Sequence, residues 1–242
     1  MNIAEKTVLI TGANRGIGRA LVTEALRRGA KRVYAGTRGA LEVADARVTP
    51  LLLDVTDTEQ IEEAARRVGR LDVLINNSGI APYDDLSDPA VIEHTLAVNF
   101  FGMYKVSRAF LPMLKRSRGA LVNNLSLMAL APLPLTPSYA ISKAAALSMT
   151  QSLRALVAIE GVTVHGVFLG PVDTDMTRGF EIPKASPESV AEGIFDGLAN
   201  GEEDIFPDAM SHSIAEGWRN GVAKEFERQY ASFVPQSAGA LV

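Results

Sequence analysis

The stretch Thr7-Val8-Leu9-Ile10-Thr11-Gly12-Ala13-Asn14-Arg15-Gly16-Ile17-Gly18 decides the fold of this chain. Residues 7–10 form a short apolar run with no polar face, which reads as a buried strand of a parallel sheet. A helical stretch, 19–28, follows the turn and stops at Gly29, a natural helix-ending residue. Strand, glycine turn and helix in direct succession make half of a βαβ unit. The three glycines have separate tasks. Gly12 permits the tight turn, Gly16 lets backbone amides approach a pyrophosphate, and Gly18 lets the helix pack on the strand. The helix N-terminus adds unpaired N–H groups and a partial positive charge. The spacing is G-x-x-x-G-x-G, and by itself such a turn can also be a plain strand–helix joint. In this context Gly12, Asn14, Arg15, Gly16, Ile17 and Gly18 are candidate contacts to a dinucleotide.

Working outward, β-branched runs at 32–36, 49–53, 71–75, 120–124, 163–169 and 204–206 read as further strands. Helical periodicity lies between them. Asp57 can cap a helix over 58–68, with Gln60 three positions on. Asp88-Pro89 opens a helix expected to end near Leu111, before Pro112. Further helices are expected over 139–159 and from Ser186-Pro187-Glu188 to Leu198. Residues 208–234 read as a last helical segment broken near Gly217 and Gly221. This alternation predicts an α/β fold: one doubly wound parallel sheet of about seven strands with helices on both faces, a Rossmann fold. Residues 1–234 are expected to form one domain, and 235–242 a mobile tail.

Composition narrows the function. Of 242 residues, 47% are hydrophobic and 21% charged, with a net charge of −4. That is an ordinary globular balance without the basic stripe that nucleic acid requires. No apolar run is long enough for a membrane helix, and the start lacks the apolar segment of a signal peptide. The chain has no cysteine, which excludes disulfides, thiolate metal sites and cysteine nucleophiles. The expected setting is the cytoplasm. His94, His165 and His212 are scattered, so no H-E-x-x-H zinc site can be written, and each reads as structural.

The second strand selects the cofactor. An acidic residue at its end would bond the ribose 2′-hydroxyl of NAD. Here the strand ends at Thr37-Arg38, a neutral residue and a cation. Arg38 suits a 2′-phosphate, and Arg15 is a second candidate, so NADP(H) is the expected cofactor. Either arginine could instead be merely solvated. Asp54-Val55 ends the third strand, where the carboxylate can accept from the adenine amino group or cap the next turn. Asn76-Asn77-Ser78-Gly79 ends the fourth, where Asn77, Ser78 and Gly79 suit a backbone passing close to a cofactor.

Tyr139 and Lys143 stand four apart on an expected helix and so share a face. An ammonium there is expected to lower the phenol pKa and make it a usable acid or base. Ser126 closes the fifth strand, where its hydroxyl can hold a carbonyl oxygen. Asn99 sits in an apolar helical stretch, where a mediocre helix former points to a polar role; bonding to its own backbone or to water is the plainer reading.

Together these elements resemble the classical short-chain dehydrogenase/reductase family. The resemblance runs over 7–190, through residues 11–18, Asp54, Asn76 to Gly79, Asn99, Ser126, Tyr139-Ala140-Ile141-Ser142-Lys143 and Gly170-Pro171-Val172-Asp173-Thr174. It implies an NADP-dependent carbonyl reductase, reversible as an alcohol dehydrogenase, without a metal. Tyr139 would be the general acid in reduction, and Ser126 would polarise the carbonyl. Lys143 would lower the tyrosine pKa and bind the nicotinamide ribose, and Asn99 would hold a relay water. Pro171, Val172 and Thr174 would lie against the nicotinamide. Two positions depart from the family pattern. Ser78 replaces an alanine, and Leu169 replaces a proline whose loss is expected to loosen the following turn.

Only 175–185 is available as a substrate lid. Tyr83, Leu127, Met128, Leu133 and Met176 are candidate walls, so a hydrophobic ketone or secondary alcohol is the expected small-molecule substrate. The leucines of 128–135 could also simply pack a loop. A non-catalytic NADP-binding regulator is the alternative from another class. A nucleotide-sugar epimerase fits poorly with so short a lid. Family resemblance further implies a homodimer or homotetramer through the long helices.

Overall fold

The computed structural model describes residues 1–234. The expected tail, 235–242, lies outside the described residues. Seven strands form one parallel sheet in the order β3-β2-β1-β4-β5-β6-β7. They are β1 (Thr7–Thr11), β2 (Arg32–Thr37), β3 (Val48–Leu52), β4 (Val73–Asn76), β5 (Ala120–Asn124), β6 (Thr163–Val167) and β7 (Asp204–Ile205). The order reverses between β1 and β4, which opens a crevice at the carboxyl ends of those strands. One apolar cluster packs α1 (Gly16–Arg27) and α6 (Pro187–Asn200) on one face of the sheet. A second packs α2 (Thr58–Arg67) and α4 (Met103–Ser117) on the other, with Phe110 and Leu114 fully buried.

Three expected helices differ in detail. The helix expected over 88–111 is α3 (Pro89–Leu96), then a π-helical turn, Ala97–Gly102, then α4 as far as Ser117. Pro112 lies inside α4 on its exposed side, where water can satisfy the carbonyl left without a donor. α5 (Pro137–Val157) begins two residues before Tyr139, because Pro137 suits a first turn. Gly217 stays within α7 (Ala209–Arg219), and the break falls at Asn220-Gly221 before α8 (Val222–Ala231).

Charge holds the last two helices to the sheet edge. Lys224 of α8, 1% exposed, meets Glu203 at 3.0 Å, Asp204 at 2.9 Å and Glu227 at 2.9 Å. Arg154 of α5 pairs with Asp204 at 2.7 Å and with Glu227. Trp218 of α7 donates its indole N–H to Asp204 at 2.7 Å. Pairing both signs with several hydrogen bonds offsets the desolvation that isolated buried charges would suffer. His165 is buried beside this network, with Nδ1 2.6 Å from the Glu202 carbonyl.

Candidate active site

The glycine turn has the shape its sequence demands. Gly12 (φ +66°) and Gly16 (φ +50°) adopt left-handed backbone that other residues enter at a cost. At Gly18 a Cβ would stand 2.0 Å from the Gly12 carbonyl oxygen and 2.7 Å from Asn77 Nδ2, so helix and turn touch there. The first turn of α1 has no side-chain cap and no acidic residue. Its N–H groups remain for an anion, and the glycines leave the space a phosphate needs.

The turn is laced to β4. Thr11 Oγ1 accepts from the Asn77 N–H at 2.9 Å and the Ser78 N–H at 3.0 Å. Asn77 Nδ2 donates to the Thr11 carbonyl at 3.0 Å, and Asn124 Nδ2 donates to Asn77 Oδ1 at 2.7 Å. Asn77 is thus spent on bracing the turn. Thr11 and Asn124 escaped the sequence reading; a lone hydroxyl ending a buried strand is the signal Thr11 carries. The Ser78 hydroxyl lies 3.0 Å from the position of a Gly12 Cβ, so the change from alanine fits without displacing backbone.

At the end of β2, Thr37 is buried and donates to the Gly39 carbonyl at 2.6 Å, whereas Arg38 is exposed. Arg15 pairs at 2.8 Å with Asp175 of the lid, a carboxylate that also meets Arg178. Arg15 is therefore engaged, and Arg38 is the freer cation. Asp54 Oδ1 accepts from the Thr56 N–H at 2.9 Å and from its hydroxyl at 2.7 Å. Burial pushes this carboxyl up, but the Thr56 bonds and the charge of Arg38 leave it lower than an ordinary Asp. The turn-capping alternative is thus realised at Oδ1. Val55 is buried, and Gly102 of the π turn lies so close that a Cβ would stand 2.7 Å from Val55 Cγ2.

The four candidate catalytic residues converge. Ser126, buried just beyond β5, accepts from the Met128 N–H at 3.1 Å. Tyr139 lies in the first turn of α5. Lys143 Nζ donates to the Asn124 carbonyl at 2.7 Å and sits 5.5 Å from the centre of the Tyr139 ring. Burial pushes the Tyr139 phenol up to about 12, and the Ser126 hydroxyl only partly offsets it. In the cofactor-free protein the phenol thus lies above the ordinary tyrosine value, opposite to the expected lowering, because burial disfavours the phenolate. The same burial pulls Lys143 down to about 8.

Asn99 lies in the π turn, a distortion that often accompanies function. Oδ1 accepts from the Ile80 N–H at 2.9 Å; Nδ2 donates to the Ile80 carbonyl at 2.8 Å and to Ser142 Oγ at 2.9 Å. Both amide hydrogens are used. The side chain ties the loop after β4 to α5. Asp84 does similar work: it accepts from the Ser138 N–H at 3.3 Å and from the Ser138 hydroxyl, capping α5 where Thr136 makes no cap bond.

The turn after β6 is firm without its proline. Leu169 O accepts from the Leu127 N–H at 3.0 Å, and the Gly170 N–H donates to Asp208 Oδ2 at 2.9 Å. Pro171 O accepts from the Ala185 N–H at 3.0 Å, and Val172 forms a β-bridge to Ala185. Thr174 lies against the glycine turn: a Cβ on Gly16 would stand 3.2 Å from Thr174 Cγ2. Among the candidate walls, Tyr83 and Met176 are exposed, and Leu127, Met128 and Leu133 are half-buried. Leu127 and Leu130 pack partly against the core cluster of Met103, Leu125 and Phe168. The Phe180 ring of the lid, missed in the sequence, lies 5.9 Å from the Tyr83 ring at a tilt of 31°.

Lys143 gives the cofactor-free protein a pH signature. The unfolded chain holds this proton up to the ordinary value of 10.5, whereas the folded protein releases it near 8. Between these values the unfolded chain binds more protons, so stability rises with pH. At about 1.4 kcal/mol per pH unit, the rise from pH 8 to 10 approaches about 2–3 kcal/mol. Above pH 10 Tyr139 acts oppositely, because the folded protein keeps a proton that the unfolded chain loses. We expect the melting temperature to climb from pH 8 to 10 and Lys143→Met to flatten that climb. A flat wild-type profile would refute it.

Among the described residues no helix is long and apolar enough to cross a membrane, and no group of three or more acidic or histidine side chains is arranged to hold a metal ion. The family model for short chain dehydrogenases matches residues 6–184. The chain is 36% identical over 200 residues to a short chain dehydrogenase, pigC, of Monascus ruber, covering 74% of this chain and 66% of the relative. It is 33% identical over 190 residues to the 3-oxoacyl-[acyl-carrier-protein] reductase FabG of Escherichia coli, covering 74% of this chain and 78% of that protein. Among the first curated relatives, the share of their own length that the chain spans falls from 74% to 45%. The crystal structure of a short chain dehydrogenase from Burkholderia cenocepacia in complex with NADP superposes with a TM-score of 0.87 at 35% identity, over 97% of this chain and 100% of that one. The sheet order, the glycine turn and the Ser126, Tyr139 and Lys143 arrangement thus lie in a match over most of the chain: it belongs to the short-chain dehydrogenase family, a family of oxidoreductases.

Proposed function

We propose that this protein is an NADPH-dependent carbonyl reductase, reversible as an alcohol dehydrogenase, acting on a hydrophobic ketone. The observation that carries this reading is Lys143, which stands beside the Tyr139 ring and bonds the Asn124 carbonyl two residues before Ser126, while Asn124 is tied through Asn77 to the glycine turn that leads into α1. Bound at the glycine turn, the cofactor would supply the hydride. The chain supplies position and protons. The α1 amides and the glycines receive the pyrophosphate, Lys143 the nicotinamide ribose, and Pro171, Val172 and Thr174 the nicotinamide side. The Ser126 hydroxyl holds the carbonyl oxygen. Tyr139, protonated at neutral pH, gives that oxygen its proton, which suits reduction. A ketone panel followed by NADPH absorbance tests the reading; bound NADPH with no oxidation on any ketone would favour a non-catalytic regulator.

Arg38 carries the preference for the 2′-phosphate. Loss of one charge-assisted pair at an exposed site costs about 2 kcal/mol, or about thirtyfold in affinity. Arg38→Ala should therefore weaken NADPH binding by about that factor and leave NADH unchanged. Equal preference in both proteins would remove the assignment.

Assembly through α4 and α5 is supported by the exposed Phe101 of the preceding π turn and Tyr104 at the start of the first, and by Ile141 and Leu156 along the second. Native mass measurement tests for the dimer or tetramer.

A further inference from the structure

α8 is mounted with its charged side inward. Among its described residues Lys224 alone is buried, held by Glu203, Asp204 and Glu227. Glu227 in turn accepts from Gln151 Nε2 at 2.9 Å and pairs with Arg154, both on α5. The opposite side is apolar. Val222, Phe226 and Tyr230 follow one another at a spacing of four, and Phe233 stands just past the helix end. Four-residue steps keep side chains on one face, so these residues form a stripe. They are 68%, 47%, 63% and 80% exposed. The Phe226 and Tyr230 rings lie 5.7 Å apart and the Tyr230 and Phe233 rings 6.4 Å apart, so the stripe is continuous. A surface helix ordinarily lays its apolar stripe on its own core. Here buried ion pairs fix the helix the other way round and hold the aromatic face out.

The stripe is its own complement. When α8 is laid antiparallel on a second α8, Phe226 falls opposite Tyr230 of the second copy and Val222 opposite Phe233. A small side chain meets a large one at each end, and ring meets ring in the middle, as a two-fold contact requires. Charge does not oppose the approach: Lys224 and Arg228 balance Glu225 and Glu227. The area is of the right order. With about 150–250 Å² for a whole aromatic side chain, the exposed parts of the three rings offer about 400 Å² per copy. Val222 and the polar rim extend this toward the about 800 Å² per partner of a standard interface. A lipid surface fits less well, because an interfacial helix carries cations beside its apolar face. Here Lys224 points inward, and Glu225 is exposed, accepting from Gln229 Nε2 at 3.3 Å.

We propose that α8 is an interface between two copies of this chain, in which the stripe from Val222 to Phe233 packs antiparallel on itself. This contact is separate from the α4 and α5 assembly above and does not rest on it or on the reductase reading. Two different two-fold contacts on one chain are what a D2 tetramer needs.

The test is the native mass of the full chain, wild type against Phe226→Glu, Phe233→Glu and Tyr104→Glu. None of these side chains is in the core, so far-ultraviolet circular dichroism should keep the wild-type helix content. Phe226→Glu and Phe233→Glu should each halve the mass of the assembly. The dissociation constant of the α8 contact should rise at least about a hundredfold, because the two-fold axis repeats each loss. Tyr104→Glu should leave that contact intact. Wild-type protein with the mass of a single chain would overturn the inference, and sedimentation of that single chain with neutral phosphatidylcholine vesicles would give the stripe to a lipid surface instead. Unchanged mass in both phenylalanine variants, with halving in Tyr104→Glu alone, would overturn it too and leave assembly to α4 and α5.

Discussion

Tyr139→Phe should bind NADPH as the wild type does and lose about a thousandfold in turnover, the scale of one general acid. The hydroxyl is removed and the ring remains, so the packing of α5 is kept. Its partner Ser126 stays anchored by the Met128 N–H. The effect should fall on kcat and kcat/KM alike, because proton donation matters only as the carbonyl oxygen gains charge. The pH dependence should be directional. With the phenol at about 12 in the cofactor-free protein, its proton is available for reduction at neutral pH. Alcohol oxidation needs the phenolate and should accelerate as pH rises, whereas reduction should not. Cofactor fluorescence for binding and stopped-flow absorbance for turnover separate the two effects. Ketone reduction by Tyr139→Phe at the wild-type rate would assign the acid to another group.

The features legible in the sequence are those whose partners lie close along the chain. Gly12, Gly16 and Gly18 announce a turn because strand and helix flank them directly, and the structure gives that turn the two positive φ values. Tyr139 and Lys143 share a face because a helix brings fourth neighbours together. What stayed hidden depends on distant parts of the chain. The partners of the Asn99 side chain are Ile80 and Ser142, brought close only by the packing of α5. Asp84 caps a helix that begins more than fifty residues later, and Asp208, the cap of α7, accepts the Gly170 N–H in the turn that lacks the proline. The direction of the Tyr139 shift was misread for the same reason. Sequence shows the neighbouring lysine; burial is a property of the whole fold, and here it prevails.

The second large effect is expected at Gly18, and it separates steric closeness from glycine's backbone freedom. Gly12 and Gly16 need a left-handed backbone, but Gly18 does not: it is an ordinary helical residue of α1. Its constraint is space. A Cβ there would stand 2.0 Å from the Gly12 carbonyl oxygen and 2.7 Å from Asn77 Nδ2, and the first is backbone that cannot rotate away. Gly18→Ala must push α1 off the turn, at a cost of about 1–3 kcal/mol or more in overpacking. The same displacement withdraws the α1 amides from the pyrophosphate, and about 3 kcal/mol lost there is about two powers of ten in affinity. Gly39→Ala is the control, because nothing lies within 4 Å of its Cβ position. We expect Gly18→Ala to melt at lower temperature and to bind NADPH at least a hundredfold more weakly, with Gly39→Ala close to wild type in both. Wild-type NADPH affinity in Gly18→Ala would mean that the cofactor does not lie on this turn, and the argument from the cradle to the reacting groups would lose its first step.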